Sequence, residues 1–362
     1  MSYSVSLFTR AMPDPQPLKL PPLSLEAERM SWAAIGGPDL ATVSVTGGEL
    51  ALWSLANTLR CPVEIRDATG DQVWWGYVAD VGITAGDLEF GVSLDTMANT
   101  VAVAYAYVPV GEATVGTRET TLWDEDVESV AEYGTFERLE PMSTAETLEA
   151  ENRLASILAA YHYPVPTIGF GGSGLSATLR CRGWLHSLKR RYYENTATAE
   201  TETTEQISDI VAGVGEFLRG VLIETDSGVF SNEYRDGDTN AWAEVMDLLE
   251  TGTDDNRRLL AYVRPDRYLR IYEEPAPGAA DYAITASGLM FDRFGARLRP
   301  GPWCVGTWAR LRDAIPASAT MTYLADPTRV FLERAEYDVA AMRLVPEPRG
   351  PSLFRIAGVV AG

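Results

Sequence analysis

The chain has 362 residues, enough for two to four domains, and its 46% hydrophobic content is typical of a protein that buries a core. It carries 51 acidic against 30 basic side chains, a formal charge of −21. Such a surface repels a phosphate backbone, so the charge argues against a general affinity for nucleic acid or anionic membranes. No run of about 20 apolar residues predicts a membrane span. The start, MSYSVSLFTR, lacks the basic-then-apolar order of a signal peptide.

The three cysteines predict a reducing compartment. Cys61, Cys181 and Cys304 are far apart in sequence, odd in number and in no metal-ligand spacing. We expect three buried or half-buried thiols, with a single disulfide as the alternative.

The first third of the chain predicts an extended arm followed by an antiparallel β meander. Five prolines in PDPQPLKLPPL (13–23) favour an extended, solvated segment. Alternating and helical patterns then predict a strand, a helix and four further strands, in VSVTG (43–47), ELALWSLANTL (49–59), CPVEIRD (61–67) and residues 73–81, 88–94 and 97–111. Closely spaced strands with one apolar and one polar face favour a small closed or half-closed barrel over a doubly wound parallel sheet.

The rest of the chain predicts helices and strands in mixed order. The patterns indicate helices over residues 144–161, 205–218 and 241–249, extended chain over 165–193, strands in VLIET, VGTWARLRD and RVFLERAEYDV, and a hairpin over 259–274. Thr239 or Asn240 caps the third helix, and the hairpin turns at Pro265 and Asp266.

These elements predict an α+β fold that is β-rich and multidomain. We expect four domains: an N-terminal β-barrel domain with a Pro-rich arm (1–115), an acidic helical segment with extended strands (116–200), an α/β domain (201–275) and a C-terminal β-rich, barrel-like domain (276–362).

The stretch GFGGSG has the glycine spacing of a dinucleotide-binding loop, since Gly169, Gly171 and Gly174 match G-x-G-x-x-G. A dinucleotide site needs those glycines between a strand and a helix whose N-terminus receives the pyrophosphate. Pro164 and Pro166 precede them, and the strand-like SATLRCRGW follows. We therefore predict a glycine-rich loop and no cofactor.

The stretch DGDTN (236–240) resembles the start of a calcium loop, with Asp236, Asp238 and Asn240 two residues apart. Position six of that loop is Ala241 instead of Gly, and position twelve is Asp247 instead of Glu. We predict a turn and helix cap here and no metal.

Only two histidines occur, His162 in YHYP and His186 in GWLHS. Neither neighbours a Ser or Cys nucleophile motif, and two histidines alone do not favour a zinc site. We expect structural or surface roles for both and assign no catalytic residue to the chain.

One local basic cluster, RCRGWLHSLKRRYY (180–193), contains Arg180, Arg182, Lys189, Arg190 and Arg191 together with Trp184, Tyr192 and Tyr193. Single-stranded nucleic-acid sites use such a combination of cations and aromatic rings. The alternatives are a protein contact or ion pairs with the acidic remainder of the chain. We favour these alternatives, because the rest of the surface would repel nucleic acid.

The acidic residues Asp124, Glu125, Asp126 and Glu128 offer carboxylates for glycosidase chemistry. That chemistry needs one carboxyl group with a raised pKa in a shielded pocket, which consecutive residues on a loop do not specify. We expect a solvated acidic face.

Two adjacent tryptophans, Trp74 and Trp75, lie in the predicted strand VWWGYVADV. Strand side chains alternate between faces, so one tryptophan points into the barrel and the other outward. We expect one core tryptophan and one interface tryptophan, and the sequence leaves open which is which.

The order of elements around these tryptophans resembles the N-terminal barrel of bacteriophage tail hub proteins, the family of siphophage tail-associated proteins and the baseplate hub of contractile tails. The similarity lies in VSVTG, ELALWSLANTL, CPVEIRD, VWWGYVADV and LEFGVSLDTMANTVAVAY, where Trp75, Gly76 and Tyr77 match an aromatic, Gly and apolar triplet of the family. DVESVAEYGTFERLEP resembles the segment before the family's long helix, and VGTWARLRDAIP with RVFLERAEYDV resembles a late barrel with a G-x-W-x-R-L motif. The similarity covers most of the chain in order and spacing.

The resemblance implies two small antiparallel β-barrels of tail-hub type, joined by mixed α/β and helical segments. It also implies a homotrimer whose six barrels face the hexameric rings of the tail tube. An acidic channel wall would let DNA pass without adhering.

The implied partners are the tail-tube or distal tail protein, the tape measure protein, and a tail fibre or central spike protein. The implied location is the tail tip of the virion after synthesis in the host cytoplasm, with no enzymatic activity, specific DNA binding or membrane insertion. A distal tail or tail-tube ring protein is the alternative, and a cell-wall hydrolase is a weaker one.

Overall fold

The computed structural model describes residues 3–12, 14–108, 116–276, 281–285, 287–312 and 329–349. The strands of the first half are β1 (Ser4–Leu7), β2 (Leu23–Ala33), β3 (Gly37–Gly47), β4 (Pro62–Arg66), β5 (Gln72–Ala85), β6 (Leu88–Ser93), β7 (Thr100–Tyr107), β8 (Arg118–Thr120), β9 (Asp124–Glu125), β10 (Glu137–Ala145), β11 (Thr167–Phe170) and β12 (Leu175–Arg182). Those of the second half are β13 (Tyr192–Asn195), β14 (Glu200–Glu202), β15 (Gly220–Ile223), β16 (Phe230–Asn232), β17 (Arg235–Asn240), β18 (Leu259–Val263), β19 (Tyr268–Glu273), β20 (Tyr282–Thr285), β21 (Met290–Phe291), β22 (Trp308–Arg312), β23 (Arg329–Asp338) and β24 (Arg343–Pro348).

Among the described residues the helices are fewer than the strands. They are α1 (Glu49–Trp53), α2 (Val127–Tyr133), α3 (Thr147–Tyr161), α4 (Thr203–Val214) and α5 (Ala241–Thr251), with 3₁₀ segments at Ser54–Thr58, Leu94–Thr96, Trp184–Arg190 and Pro302–Cys304. Of the described residues, 46% lie in strands and 21% in helices, which gives the β-rich, α+β class that the sequence predicts.

A 13-stranded sheet contains strands from both ends of the chain. Its order is β1-β4-β5-β12-β3-β2-β23-β22-β20-β21, with β6 beside β5, β11 beside β6 and β24 beside β23. The sheet is mixed, because β20 and β22 run parallel while most other neighbours are antiparallel. Among the described strands, the first and last strands of this order do not pair, so the sheet does not form a closed barrel.

The prediction of two small antiparallel barrels is therefore not what the described strands form. The physical reason is the pairing of β2 with β23, which places Trp32 opposite Ala335. Both side chains are buried in one core, so the C-terminal strands extend the N-terminal sheet instead of closing a barrel of their own.

Strand β5 has three neighbours in this sheet. Along one side it pairs with β12, and along the other it pairs first with β4 and then with β6. Its residues from Val73 to Ala79 are all buried. The run is almost wholly apolar, as expected for a strand covered on both faces.

Both tryptophans of β5 are core residues, so the expected interface tryptophan is absent from this pair. Trp74 is fully buried and Trp75 is 3% exposed. The Trp75 Nε1 donates a hydrogen bond of 3.0 Å to the Val263 carbonyl oxygen of β18. One face of β5 thus packs in the sheet core, and the other is covered by the segment that contains β18.

The second half of the chain adds a helical layer and a small sheet. Helix α5 contacts α4, β18 and the 3₁₀ segment Trp184–Arg190, and that segment also contacts β5. The sheet β15-β19-β18 completes this layer, and its apolar residues belong to the same core as β5. A separate core forms where α3 packs on β7 and β10, around Val101, Tyr105 and Ile157.

Most predicted elements form close to their predicted bounds, including the hairpin of β18 and β19, where Arg267 takes a left-handed φ of 68°. The Pro-rich arm is extended and covers β1, since Leu18 N donates to the Leu7 carbonyl oxygen. Strands β2 and β10 were not predicted. The helix predicted over 49–59 divides into α1 and a 3₁₀ segment.

We expect Trp74→Ala and Trp75→Ala each to lower the free energy of unfolding by roughly 3 to 5 kcal/mol, because each removes a large buried side chain. Chemical denaturation monitored by circular dichroism measures both. Trp123→Ala is the matched control, since Trp123 is 39% exposed and should cost far less. A small loss at either position of β5 would contradict its burial on both faces.

Candidate functional site

The glycine motif forms the turn between two strands. Gly169 lies in β11, and Gly171 and Gly174 have positive φ values of 127° and 90° in the turn that leads to β12. Gly171 N donates to the Asp87 carbonyl oxygen, which ties this turn to the one between β5 and β6. A strand follows the glycines where a dinucleotide site needs a helix, as the sequence predicts.

The DGDTN motif is a strand end and a helix cap. The Asn240 side chain accepts a 3.0 Å hydrogen bond from Ala243 N at the start of α5. Asp238 pairs with Arg118 at 2.5 Å, and the Asp236 carboxylate accepts from the backbone N–H of Asp238. In the described ranges no group of three or more His, Cys, Asp or Glu side chains is arranged to hold a metal ion.

His162 ends α3, and its Nδ1 lies 2.8 Å from the Leu158 carbonyl oxygen. His186 is half-buried, with its Nε2 2.7 Å from Asp39 Oδ1 and its ring stacked on Trp242. A serine, Ser31, also contacts Asp39, with its hydroxyl 3.4 Å from Oδ2. Because the serine meets the carboxylate and not the imidazole, this arrangement lacks the nucleophile–base contact of a catalytic triad.

Asp39 joins three distant parts of the chain through its contacts with His186 and Arg334. Besides His186 it accepts a hydrogen bond from Arg334 of β23. Burial by itself raises the pKa of the Asp39 carboxyl, but the bonds from His186 and Arg334 outweigh it and lower that pKa to about 2. Burial lowers the pKa of His186 below its ordinary value of 6.5, in spite of the carboxylate beside it. The cluster therefore favours an anionic Asp39 and a neutral imidazole.

The basic cluster is neutralised within the molecule. Arg182 binds the Asp95 carboxylate through two bonds of 2.6 and 2.5 Å, and Arg190 bonds the Asp95 carbonyl oxygen. Arg191 lies 3.4 Å from both Glu137 and Glu216. The sequence analysis gave such ion pairs as an alternative to a nucleic-acid site. Because Arg182, Arg190 and Arg191 already contact acidic residues or a carbonyl oxygen, they are not available to bind phosphate groups.

Most other members of the basic cluster are buried or contact an aromatic ring. The Lys189 ammonium lies 4.6 Å from the centre of the Trp242 ring, and Trp184 is buried. Tyr192 packs against Trp123, and Tyr193 is half-buried. Arg180 and Lys189 are exposed, and Arg180 lines a groove described below.

The acidic run has a structural explanation. Asp124 and Glu125 form the exposed strand β9, and Asp126 caps α2 by accepting a 2.8 Å hydrogen bond from Ser129 N. Glu128 lies in the first turn of α2, where a negative charge favours the helix dipole. These carboxylates are solvated, as the sequence predicts.

The three cysteines are buried and free of disulfides. Burial raises the pKa of the Cys304 thiol to about 12 and also raises that of Cys61 and Cys181. Thiols with raised pKa values are poor nucleophiles, so their role is packing.

A buried arginine in an aromatic box was not predicted from the sequence. Arg60 is 2% exposed, and its guanidinium carbon lies 3.1 Å from the centre of the Phe217 ring and 4.2 Å from that of Tyr77. Phe136 and Trp184 complete the box at 5.8 and 5.6 Å. Among the described residues, the Arg60 terminal nitrogens Nη1 and Nη2 have no hydrogen-bond partner.

The box stabilises a cation by ring faces instead of by a carboxylate. Burial lowers the pKa of Arg60 to about 10, so the side chain stays charged at neutral pH. Each ring face attracts the cation, most strongly where water is excluded. The four rings come from β5, from the residue just before β10, from the 3₁₀ segment Trp184–Arg190 and from the turn that follows α4. In the sequence, Arg60 is a single arginine before an apolar strand. That pattern does not indicate which aromatic residues surround it.

A groove of about 600 Å³ lies on the polar face of β5, β6, β11 and β12. Strand alternation puts small polar residues on this face, including Gly82, Thr84, Gly91, Ser93, Thr167, Ser176 and Thr178. Its charged members are Asp80, Glu89 and Arg180. Its described lining contains no histidine or cysteine, so the groove offers an open polar surface and no nucleophile–base pair.

The opposite face of the same strands is apolar and extends beyond the core. Ile168 and Phe170 of β11 lie opposite Phe90 and Leu88 of β6, and they are 66% and 82% exposed. In the described part of the chain β11 pairs only with β6, so its other edge is free. Exposed apolar residues on an uncharged edge strand are typical of a surface that contacts another protein chain.

Comparisons with known proteins give structural likenesses only. No protein-family model and no curated protein sequence matches the chain. Three solved structures are similar: the tail protein from Neisseria meningitidis MC58 (7% identity, TM-score 0.48, 96% of each chain covered), the 43 kDa tail protein of prophage MuSo2 from Shewanella oneidensis (8%, 0.45, 97% of each) and the prophage tail protein gp18 from Listeria monocytogenes EGD-e (8%, 0.35, 99% of each). At TM-scores below 0.5 these likenesses do not assign a function.

We expect Arg60→Lys to destabilise the protein more than Arg60→Met. A lysine ammonium is compact and strongly hydrated, and it cannot stack flat on Phe217, whereas methionine removes the buried charge and fills the box. Thermal unfolding of both variants beside the wild type measures the order. Equal stability of the Lys variant and the wild type would show that charge, and not the planar guanidinium, is what the box needs.

The His186–Asp39 pair makes stability depend on pH. Because the pKa of His186 is lowered on folding, the unfolded chain binds the proton more readily, and stability is lost as pH falls below about 6.5. We expect the melting temperature of the wild type to fall by ~2–4 °C more between pH 7.5 and 5.5 than that of His186→Gln. His162→Gln is the control and should follow the wild type. Parallel pH profiles for all three proteins would contradict a coupled His186.

Proposed function

We propose that the chain is a structural component of a bacteriophage tail tip or baseplate, acting as the trimeric hub that adapts the hexameric tail tube to the tip. Strand β11 supports this proposal, because in the described part of the chain one of its edges is unpaired, it has no charged residue, and its Ile168 and Phe170 are exposed, which are features of an edge that another chain can cover. The resemblance in sequence to the tail hub family supplies the kind of assembly.

The course of the chain supports an assembly role. The segments on which the resemblance rests, from VSVTG to VAVAY, form β3, α1, β4, β5, β6 and β7 in the expected order. The late segments VGTWARLR and RVFLERAEYD form β22 and β23, which join the same sheet. Within the described residues, β11 pairs only with β6 and β24 only with β23, and a continuous sheet with such edges suits a subunit that meets neighbours on two sides.

The charge distribution supports a channel that lets DNA pass. Residues 1–275 contain 43 acidic and 20 basic side chains, whereas residues 276–362 contain eight acidic and ten basic ones. The proposed hub directs the acidic part toward the channel, where it repels the phosphate backbone. Its proposed partners are the tail-tube or distal tail protein, the tape measure protein, and a fibre or central spike.

Immunogold labelling of phage particles with an antibody against this chain tests the proposal. We expect gold at the distal end of the tail, and threefold symmetry in averaged images of the purified protein. Gold along the shaft would place the chain in the tube and favour the alternative, a ring protein of the tail tube. Absence of label from every particle would remove the tail assignment.

A further inference from the structure

Lys189 is one of only two lysines in the chain, and it lies in a cluster of charged side chains. It is exposed near the end of the 3₁₀ segment Trp184–Arg190, with its ammonium over the Trp242 ring of α5. Within the described residues its nitrogen forms no ion pair, because the nearby carboxylates bind arginines or His186 instead. The amine therefore has no acidic partner in the described part of the chain.

The groups around Lys189 carry an excess of positive charge. Its charged neighbours are two carboxylates and three guanidinium groups, namely Asp39, Asp95, Arg182, Arg190 and Arg334. Three cations against two anions leave one positive charge before that of Lys189 is added, and the neutral imidazole of His186 adds none. This local excess is the reverse of the net charge of −21 on the whole chain.

The environment favours the neutral form of this amine. Partial burial of the side chain lowers the pKa of Lys189 below its ordinary value of 10.5, and the nearby arginines lower it further, against the effect of the two carboxylates. The Trp242 ring acts in the other direction, because a ring face attracts an ammonium, but that attraction is weak at an exposed site. Only the neutral amine has the free lone pair that makes it a nucleophile.

We propose that Lys189 is a modification site, at which the side-chain amine accepts the acyl group of an acyl phosphate. The neutral nitrogen attacks the acyl carbon and forms the C–N bond, while the bond from that carbon to the phosphate oxygen breaks. Inorganic phosphate leaves with the electron pair of the broken bond, and the nitrogen gives its extra proton to water. The product is an uncharged amide. The site is independent of the proposed role in a phage tail.

An anionic acyl donor suits this place better than a neutral one. A local excess of positive charge raises the concentration of anions beside it, and this effect needs no free guanidinium group. Over most of the acidic surface the same donor is repelled. Lys19, the other lysine, is exposed on the Pro-rich arm and provides an internal reference for the reactivity of Lys189.

Acylation of Lys189 would change the pH dependence that His186 gives the protein. Burial is the largest cause of the lowered pKa of His186, and the charges of Lys189 and Arg182 lower it further, whereas Asp39 raises it. Without the Lys189 charge, the imidazole binds a proton at a higher pH, nearer to its value in the unfolded chain. The acylated protein should therefore lose less stability on acidification than the unmodified protein.

Competition between the two lysines tests the proposal in the full-length protein. The folded protein is treated with acetyl phosphate near neutral pH, and acetylation of each lysine is followed by mass spectrometry of its own peptide. We expect Lys189 to react about fivefold faster than Lys19, because a larger fraction of its amine is neutral. In guanidinium chloride the ratio should fall toward one, since unfolding removes the neighbours that β3 and β23 supply.

Removal of one neighbouring cation gives a matched variant. Arg334→Gln leaves the Asp39 carboxylate without its arginine, so its negative charge acts on Lys189 and the amine should react about twofold more slowly. Arg153→Gln is the control, because Arg153 lies on α3 beside the separate core, and it should leave the rate unchanged. Near-UV circular dichroism checks that each variant is folded, and Arg182→Gln replaces the first variant if that one does not fold.

A neutral acetyl ester separates the reactivity of the amine from the choice of donor. Lys189 should still react faster than Lys19 with this ester, but by a smaller ratio, because the cluster no longer attracts the donor. Equal rates at the two lysines of the folded protein would overturn the proposal. So would a preference that persists in the unfolded chain, or an unchanged rate in Arg334→Gln. The same ratio with both donors would overturn the assignment of an acyl phosphate.

Discussion

The burial of β5 on both faces is the constraint on which the rest of the molecule depends. This strand has three neighbours, β12 along one side and β4 and β6 along the other. Its two tryptophans reach in opposite directions, and Trp75 bonds the backbone of β18. A strand in this position must be apolar throughout, and it obliges the second half of the chain to fold back over it.

Charged groups then hold the covering segments in place. Arg60 binds four aromatic rings from separate elements, and Asp39 joins β3 to His186 and to Arg334 of β23. A further network joins Arg258 and Arg349 to Glu274 and Glu333. Removing one partner of such a group leaves a buried charge without compensation, which is unfavourable. These contacts therefore favour one arrangement of the segments even where their net stabilisation is small.

Local patterns in the sequence predicted most of the elements. They did not predict which distant elements pair with each other. Alternation predicted β5 and β6, and the turn residues predicted the hairpin of β18 and β19. Nothing local shows that β2 pairs with β23 or that Trp75 meets Val263, because such contacts depend on which apolar faces find each other after the chain collapses. The sequence predicted that the basic cluster forms ion pairs, but it did not show with which acidic residues. The aromatic box around Arg60 was not predicted, because its rings lie far apart in sequence.

The pairing of β2 with β23 also bears on how the protein is made. Ala33 pairs with Arg334, which is synthesised about 300 residues later. At ~5–20 residues per second, a ribosome needs on the order of 15–60 s to reach that residue. During that interval the edge of β2 stays open in the nascent chain, and such long-range pairing is slow in itself. Production of soluble protein should therefore be sensitive to temperature and chaperone supply, independently of how stable the finished fold is.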